Sequence, residues 1–173
     1  MLRKIAITGP ESTGKTQICK ELAKYFNGKC VTEFARDYLN NIQRPYNKFD
    51  LEIIATQHIY QISETKKFTD NYLFADTELS VIKIWYEDAY KTCPNWILKQ
   101  YEKQEYDLYL LMDIDLPWIF DKQREHPFLR TYFFNLFEQE LRKFKRPYII
   151  ISGTEETRLN NAIKGINNLD NTI

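Results

Sequence analysis

Lys15 and Thr16 close an eight-residue run, Gly9-Pro10-Glu11-Ser12-Thr13-Gly14-Lys15-Thr16, that fills every fixed position of the phosphate-binding pattern G-x-x-x-x-G-K-[ST]. The chemistry needs these residue types at this spacing. Gly9 and Gly14 let the backbone bend so that successive amides point inward at phosphate oxygens. The lysine ammonium reaches the β- and γ-phosphates of a nucleoside triphosphate, and the threonine hydroxyl holds Mg²⁺. ATP and Mg²⁺ are therefore the expected cofactors.

Further polar residues follow apolar runs. Asp76 closes Tyr72-Leu73-Phe74-Ala75, where a carboxylate can hold Mg²⁺, accept a proton from an acceptor hydroxyl, or cap the helix that starts near Glu78. Glu33 and Arg36 stand three apart on the first turn of a predicted helix, so both can face one cleft or form a surface ion pair. Glu78 also joins the substrate-facing set. Residues 113–130 have the make-up of a lid, with Arg124 and Arg130 placed to close over phosphates or to remain in a solvated loop. Trp85, Tyr86 and Trp96 are rings for stacking a flat substrate or for filling the core, and Arg158 is assigned to the adenine side. His58 and His126 read as packed or solvent-facing rather than catalytic.

The elements that must position these groups alternate between strand and helix. Lys4-Ile5-Ala6-Ile7-Thr8 reads as a buried strand leading into the glycine loop, and Ile18, Leu22 and Tyr25 or Phe26 recur at helical spacing after it. The helix N-terminus thus adds its partial positive charge at the phosphates. Cys30-Val31-Thr32 predicts a second strand and Glu33 onward a helix ending before Pro45. A longer helix is predicted from an Asp50 N-cap to about Lys67, with Leu51, Ile54, His58 and Ile62 on one face. Residues 72–75 form strand three, 78–91 a helix, a short helical segment surrounds Trp96-Ile97-Leu98, and 108–112 form strand four. An amphipathic helix to about Phe144, strand five at 148–151 and a helix over 155–169 complete the order. This is an α/β phosphate-loop fold: a five-stranded, mostly parallel sheet with helices on both faces and a lid. In such sheets ligands bind at the carboxyl ends of the strands, which also draws Asp113, Asp115 and Gly153 into the reading.

Composition narrows the function classes. The 173 residues suit one domain over 1–173, and 24 basic against 24 acidic side chains give no electrostatic footprint for nucleic acid or an anionic membrane. Three cysteines without C-x-x-C spacing and two histidines point away from a disulfide framework or a zinc site. No apolar run approaches membrane-spanning length and residues 1–8 lack a secretory pattern, so a cytoplasmic protein is expected. Self-association is compatible with the sequence.

The ordered set of the glycine loop at 9–16, Glu33-Phe34-Ala35-Arg36-Asp37, Ala75-Asp76-Thr77-Glu78, Trp118-x-x-Asp121-x-x-Arg124 and Lys145-Arg146-Pro147-Tyr148-Ile149 resembles the nicotinamide riboside kinase domain of the bacterial bifunctional NAD-biosynthesis regulators. The resemblance spans nearly the whole chain. It implies a nucleoside-kinase-like fold and transfer of the ATP γ-phosphate to the ribose 5′-hydroxyl of nicotinamide riboside, giving nicotinamide mononucleotide. It further implies phosphate and Mg²⁺ roles for Lys15 and Thr16, metal or base work for Asp76, acceptor contacts for Glu33 and Arg36, and a lid role for Arg124. The adenylyltransferase and DNA-binding domains of those regulators have no room in 173 residues. Thr32 stands where family members tend to place an aromatic residue that stacks on the cationic nicotinamide, which turns attention to Phe34, Trp85 or Tyr86. The other readings are a kinase for a different nucleoside and an ATPase or switch acting on a protein partner. Against a GTPase switch, Asp76 is not followed by x-x-Gly and no N-K-x-D occurs.

Overall fold

A computed structural model describes residues 2–170; Met1 and residues 171–173 of the expected 1–173 domain lie outside the described residues. Five parallel strands, β1 (Arg3–Thr8), β2 (Lys29–Val31), β3 (Tyr72–Asp76), β4 (Leu108–Met112) and β5 (Tyr148–Ile151), lie in the order β2-β3-β1-β4-β5. The register sets Ile7 of β1 opposite Asp76 of β3, and Thr8 opposite Leu111 of β4. The phosphate loop and the Asp76 carboxylate thus emerge side by side from the centre of the sheet.

Both sheet faces are buried, and the period of two decides which side chain serves which face. Ile5, Ile7, Phe74, Leu110 and Met112 pack against α1 (Lys15–Tyr25) and α7 (Glu155–Asp170). Ala6, Leu73, Ala75, Tyr109 and Leu111 pack instead against Ile84 of α4 (Leu79–Tyr90) and Phe133, Phe137 and Leu141 of α6 (Arg130–Lys143). A third core joins α2 (Phe34–Asn41), α3 (Lys48–Thr65), α4 and α5 (Asn95–Lys103) through Ala35, Leu51, Ile54, Tyr86, Ile97 and Tyr101.

Two predicted boundaries shift for local reasons. The α3 cap is Asn47, whose side chain accepts from the Phe49 amide at 2.9 Å. Asp50 sits three residues later and returns a bond to the Asn47 amide at 2.7 Å, completing a capping box. Its carboxylate is also forked by Arg44 at 2.7 and 2.8 Å and reached by the Tyr38 hydroxyl at 2.7 Å. At α4 the cap is Glu78, which accepts from the Ser80 amide at 2.8 Å, so Asp76 does not cap that helix. Among the described residues no helix is long and apolar enough to cross a membrane.

Candidate active site

The glycine loop, α2, α4, α6 and the 113–129 segment enclose a cleft of about 660 Å³. At one end the loop wraps as its sequence demands. Gly9 and Gly14 take φ of 127° and 80°, left-handed values suited to glycine, and a Cβ on Gly9 would lie 3.0 Å from the Met112 carbonyl oxygen. Gly14 begins α1 without a side-chain cap, so the first-turn amides remain available to an anion. The Thr13 hydroxyl ties back to the Pro10 carbonyl at 2.8 Å, and the Lys15 ammonium donates to the Gly9 and Pro10 carbonyls at 2.9 and 2.6 Å.

The electrostatics of this end centre on one lysine facing three acids. Burial lowers the Lys15 pKa, against the pull of Glu33, Asp76 and Glu11. Burial raises Glu11, Glu33 and Asp76 in turn, with Lys15 opposing each shift. Asp76 is only 1% exposed, and neither carboxylate oxygen has a hydrogen-bond partner. Such an orphan is costly unless something else meets it. Thr16, Lys15 and Arg36 each favour its ionised form, though less than burial disfavours it. Glu33 opens onto the cleft, whereas Asp76 is sealed from solvent.

Residues of the 113–129 segment and Arg130 bond the loop. The Ser12 hydroxyl accepts from the Ile119 amide at 3.0 Å and from Arg124 at 3.3 Å; Arg130 reaches the Ser12 and Leu116 carbonyls at 3.1 and 2.8 Å. The Glu11 carboxylate accepts from the Glu125 and His126 amides at 3.1 and 3.4 Å. Arg36 faces the cleft, but its guanidinium pairs with Asp121 of the lid at 2.7 Å. Gln123 reinforces that latch through the Arg36 carbonyl at 3.1 Å and the Asn40 side chain at 2.9 Å.

Arg158 is buried and braces the loop, donating to the Thr13 carbonyl at 3.0 Å and the Gly153 carbonyl at 2.7 Å while pairing with Asp115. Asp115 also accepts from the Gly153 amide at 2.6 Å, and Asp113 from the Ser152 hydroxyl at 2.8 Å. The carboxylates after β4 therefore fasten loops to one another.

Several expected cleft residues lie elsewhere. Glu78 is fully buried and turned toward β1, where it accepts from Thr8 at 3.0 Å and is held by Ser80 and Gln104. Thr77, at φ 75°, redirects the chain between Asp76 and Glu78, which sends the two acids to different places. Tyr86 is core, with its hydroxyl on the Lys48 carbonyl at 3.0 Å. Trp96 bonds Glu52 at 2.8 Å and Phe34 packs on Tyr38; neither lines the cleft. Trp85 does line it, its indole N–H fixed on the Tyr46 hydroxyl at 2.8 Å. His58 is core and is pushed down to about 4 by burial. His126 lines the cleft, packed on Phe133 with centroids 4.8 Å apart. Val81, Ile84 and Asp88 went unsingled in the sequence, although with Trp85 they form an i, i+3, i+4, i+7 stripe that periodicity could have exposed.

Comparison with known proteins places this geometry. A profile described as an AAA domain matches residues 4–158. The chain belongs to that AAA-domain family. The trifunctional NAD biosynthesis/regulator protein NadR of Escherichia coli (strain K12) is 28% identical over 132 residues, covering 71% of this chain and 31% of that protein. This chain thus spans about a third of that relative's length. Solved structures of NadR with nicotinamide riboside (NR), and with NAD and AMP-PNP, superpose with TM-scores of 0.76 and 0.74 at 21% identity, covering 96% of this chain and 51% and 49% of those chains. Deoxyadenosine kinase from M. mycoides, in a structure with dCMP and dCDP, shares the fold at a TM-score of 0.70 and 15% identity, over 95% of this chain and 99% of that one. The five-stranded parallel fold is shared with these solved structures.

Proposed function

We propose that this protein transfers the γ-phosphate of ATP to the ribose 5′-hydroxyl of nicotinamide riboside, giving nicotinamide mononucleotide. The observation that carries the reading is the two-ended cleft. A phosphate loop bearing Lys15 and Thr16 forms one end, Glu33 lies between, and an apolar wall containing Trp85 forms the other, all beneath a lid held by Arg36–Asp121. NadR, whose solved complexes contain nicotinamide riboside and AMP-PNP, supports both substrates.

In this reading the loop amides and Lys15 neutralise charge on the transferring phosphoryl group, and α1 adds its N-terminal dipole. Glu33 is the group that orients and deprotonates the 5′-hydroxyl, because it opens onto the cleft and burial raises its pKa toward the working range of a base. The orphaned carboxylate of Asp76 beside Thr16 fits Mg²⁺, which would supply charge neutralisation at the β- and γ-phosphates. The lid excludes water, so the alcohol and not solvent accepts the phosphoryl group. Arg124 and Arg130, held on the loop at Ser12, stand ready for the transition-state charge.

The test is ADP release from Mg-ATP across a panel of nucleosides. Turnover with nicotinamide riboside well above the other acceptors is the expected result. Equal ADP release without any acceptor would replace the kinase reading by an ATPase acting on another partner.

A further inference from the structure

Helix α4 presents Val81, Ile84, Trp85 and Asp88 to the cleft, an apolar stripe that ends in a carboxylate. Asp88 stands nine residues beyond Leu79, about 13 Å along the axis from the start of the helix near Asp76. That separation sets the carboxylate near the far edge of a base whose ribose hydroxyl lies at the phosphate end. The Trp85 ring between them is held in one orientation. Its N–H is bonded to Tyr46, the Tyr46 ring meets it edge-on at 4.9 Å, and the Tyr46 hydroxyl donates to Glu125 of the lid at 3.1 Å.

The phosphate end mixes Lys15 and three arginines with Glu11, Glu33 and Asp76, whereas the titratable side chains beside Trp85 are two acids and one imidazole. Lys15, Arg124, Arg130 and Arg158 all bond loop atoms between Gly9 and Thr13. Around Trp85 the acids are Asp88 and Glu125, with the His126 imidazole 3.4 Å from Asp88 and 4.0 Å from Glu125. Asp88 is partly exposed and faces an apolar wall, where a charge acts more strongly than in open water.

We propose that Asp88 is a specificity-determining residue of the acceptor site: with the Trp85 face, its carboxylate selects an acceptor whose flat ring carries a positive charge. This rests on the kinase reading above and goes beyond it by naming the group that reads the ring. A cation over the tryptophan face gains from the ring quadrupole as well as from the carboxylate, while a neutral ring of the same outline gains neither.

The experiment compares nicotinamide riboside with its dihydro form, which keeps the carboxamide and lacks the ring charge, by calorimetric titration of the full chain. The wild type is expected to bind the cationic form at least tenfold more tightly, about 1.4 kcal/mol. D88N should narrow the ratio to within about threefold while ATP affinity stays unchanged, and D88E should largely restore it. D88S replaces D88N should the latter lose ATP binding through misfolding. The same ratio in wild type and variant overturns the proposal, as does failure of the wild type to bind nicotinamide riboside. ADP release measured in parallel separates the two readings. Turnover of nicotinamide riboside with an unresponsive ratio removes only the role of Asp88; a responsive ratio without turnover removes only the kinase activity.

Discussion

At one end of the cleft the lining comes from eight consecutive residues, Gly9 to Thr16; elsewhere it comes from single side chains of α2, α4, α6 and the 113–129 segment. The phosphate end is a local device. Gly9 and Gly14 bend the chain at positive φ, and one lysine faces three acids. The Trp85 side is a product of packing: α4 lies on the sheet through Ile84, and Tyr46 fixes the Trp85 ring from another element. A local device tolerates change elsewhere in the chain but no change within itself, whereas a packed wall loses specificity by degrees.

The largest contrast should come from K15A, which removes the one lysine the three acids share at the phosphate end. The expected loss in kcat is at least about 10²-fold for every acceptor tested, with an unchanged circular dichroism spectrum. A loss confined to one acceptor would contradict the division of the cleft.

Next is E33Q, expected to lower kcat by about 10²- to 10⁴-fold with ATP affinity retained. Burial raises the Glu33 pKa, and a base works only when ionised. The wild-type rate should therefore fall on the acid side, with a midpoint above the ordinary glutamate value of about 4.3, and E33Q should abolish that limb. Persistence of the limb in E33Q would move the base elsewhere.

R36A cuts the lid latch and leaves both ends in place. Acceptor-independent ATP hydrolysis should rise several-fold while the acceptor KM increases, read by ADP release with and without nucleoside.

Smaller still, and in the opposite direction, is the effect of D76N on stability. The folded-state pKa of Asp76 is raised, so the stabilisation from its protonation is present below the unfolded pKa and is lost as pH rises through the folded one. With no hydrogen bond to either buried oxygen, carrying a charge at this position is costly. D76N should raise Tm at pH 7 by about 2–4 °C, the shift that 1 kcal/mol gives in a domain of this size, while weakening Mg²⁺-dependent turnover. An unchanged or lower Tm would mean that Lys15 and Thr16 already compensate the charge.

What could be read from the sequence follows the same division. Strand β1, the loop and α1 announce themselves because glycine spacing, an apolar β-branched run and helical periodicity are contiguous. The five strands and their helices were likewise legible, since parallel strands buried on both faces leave near-continuous apolar runs such as Leu108–Met112. The rule that ligands gather at strand ends selected the segment 76–78 without a direction. The positive φ of Thr77 sends Glu78 back toward Thr8, and nothing in residue type reveals that turn. Trp85 and Tyr86 are adjacent in sequence but about 100° apart around α4, so Trp85 reaches the cleft from the edge of the third core while Tyr86 is buried inside it. Asp50 was legible as a capping residue but not as the reciprocal partner of Asn47, because both types cap helices. The lid bonds of Glu11 span more than a hundred residues and leave no mark on local pattern.

The measurement that bears most directly on the two-ended cleft is phosphorus NMR of Mg-ATP and nicotinamide riboside incubated with the wild-type protein and with K15A. The expected spectrum gains the phosphomonoester resonance of nicotinamide mononucleotide in step with ADP, with wild type alone. Inorganic phosphate as the sole new species would show that water takes the phosphoryl group and that the acceptor end does not hold a nucleoside for transfer.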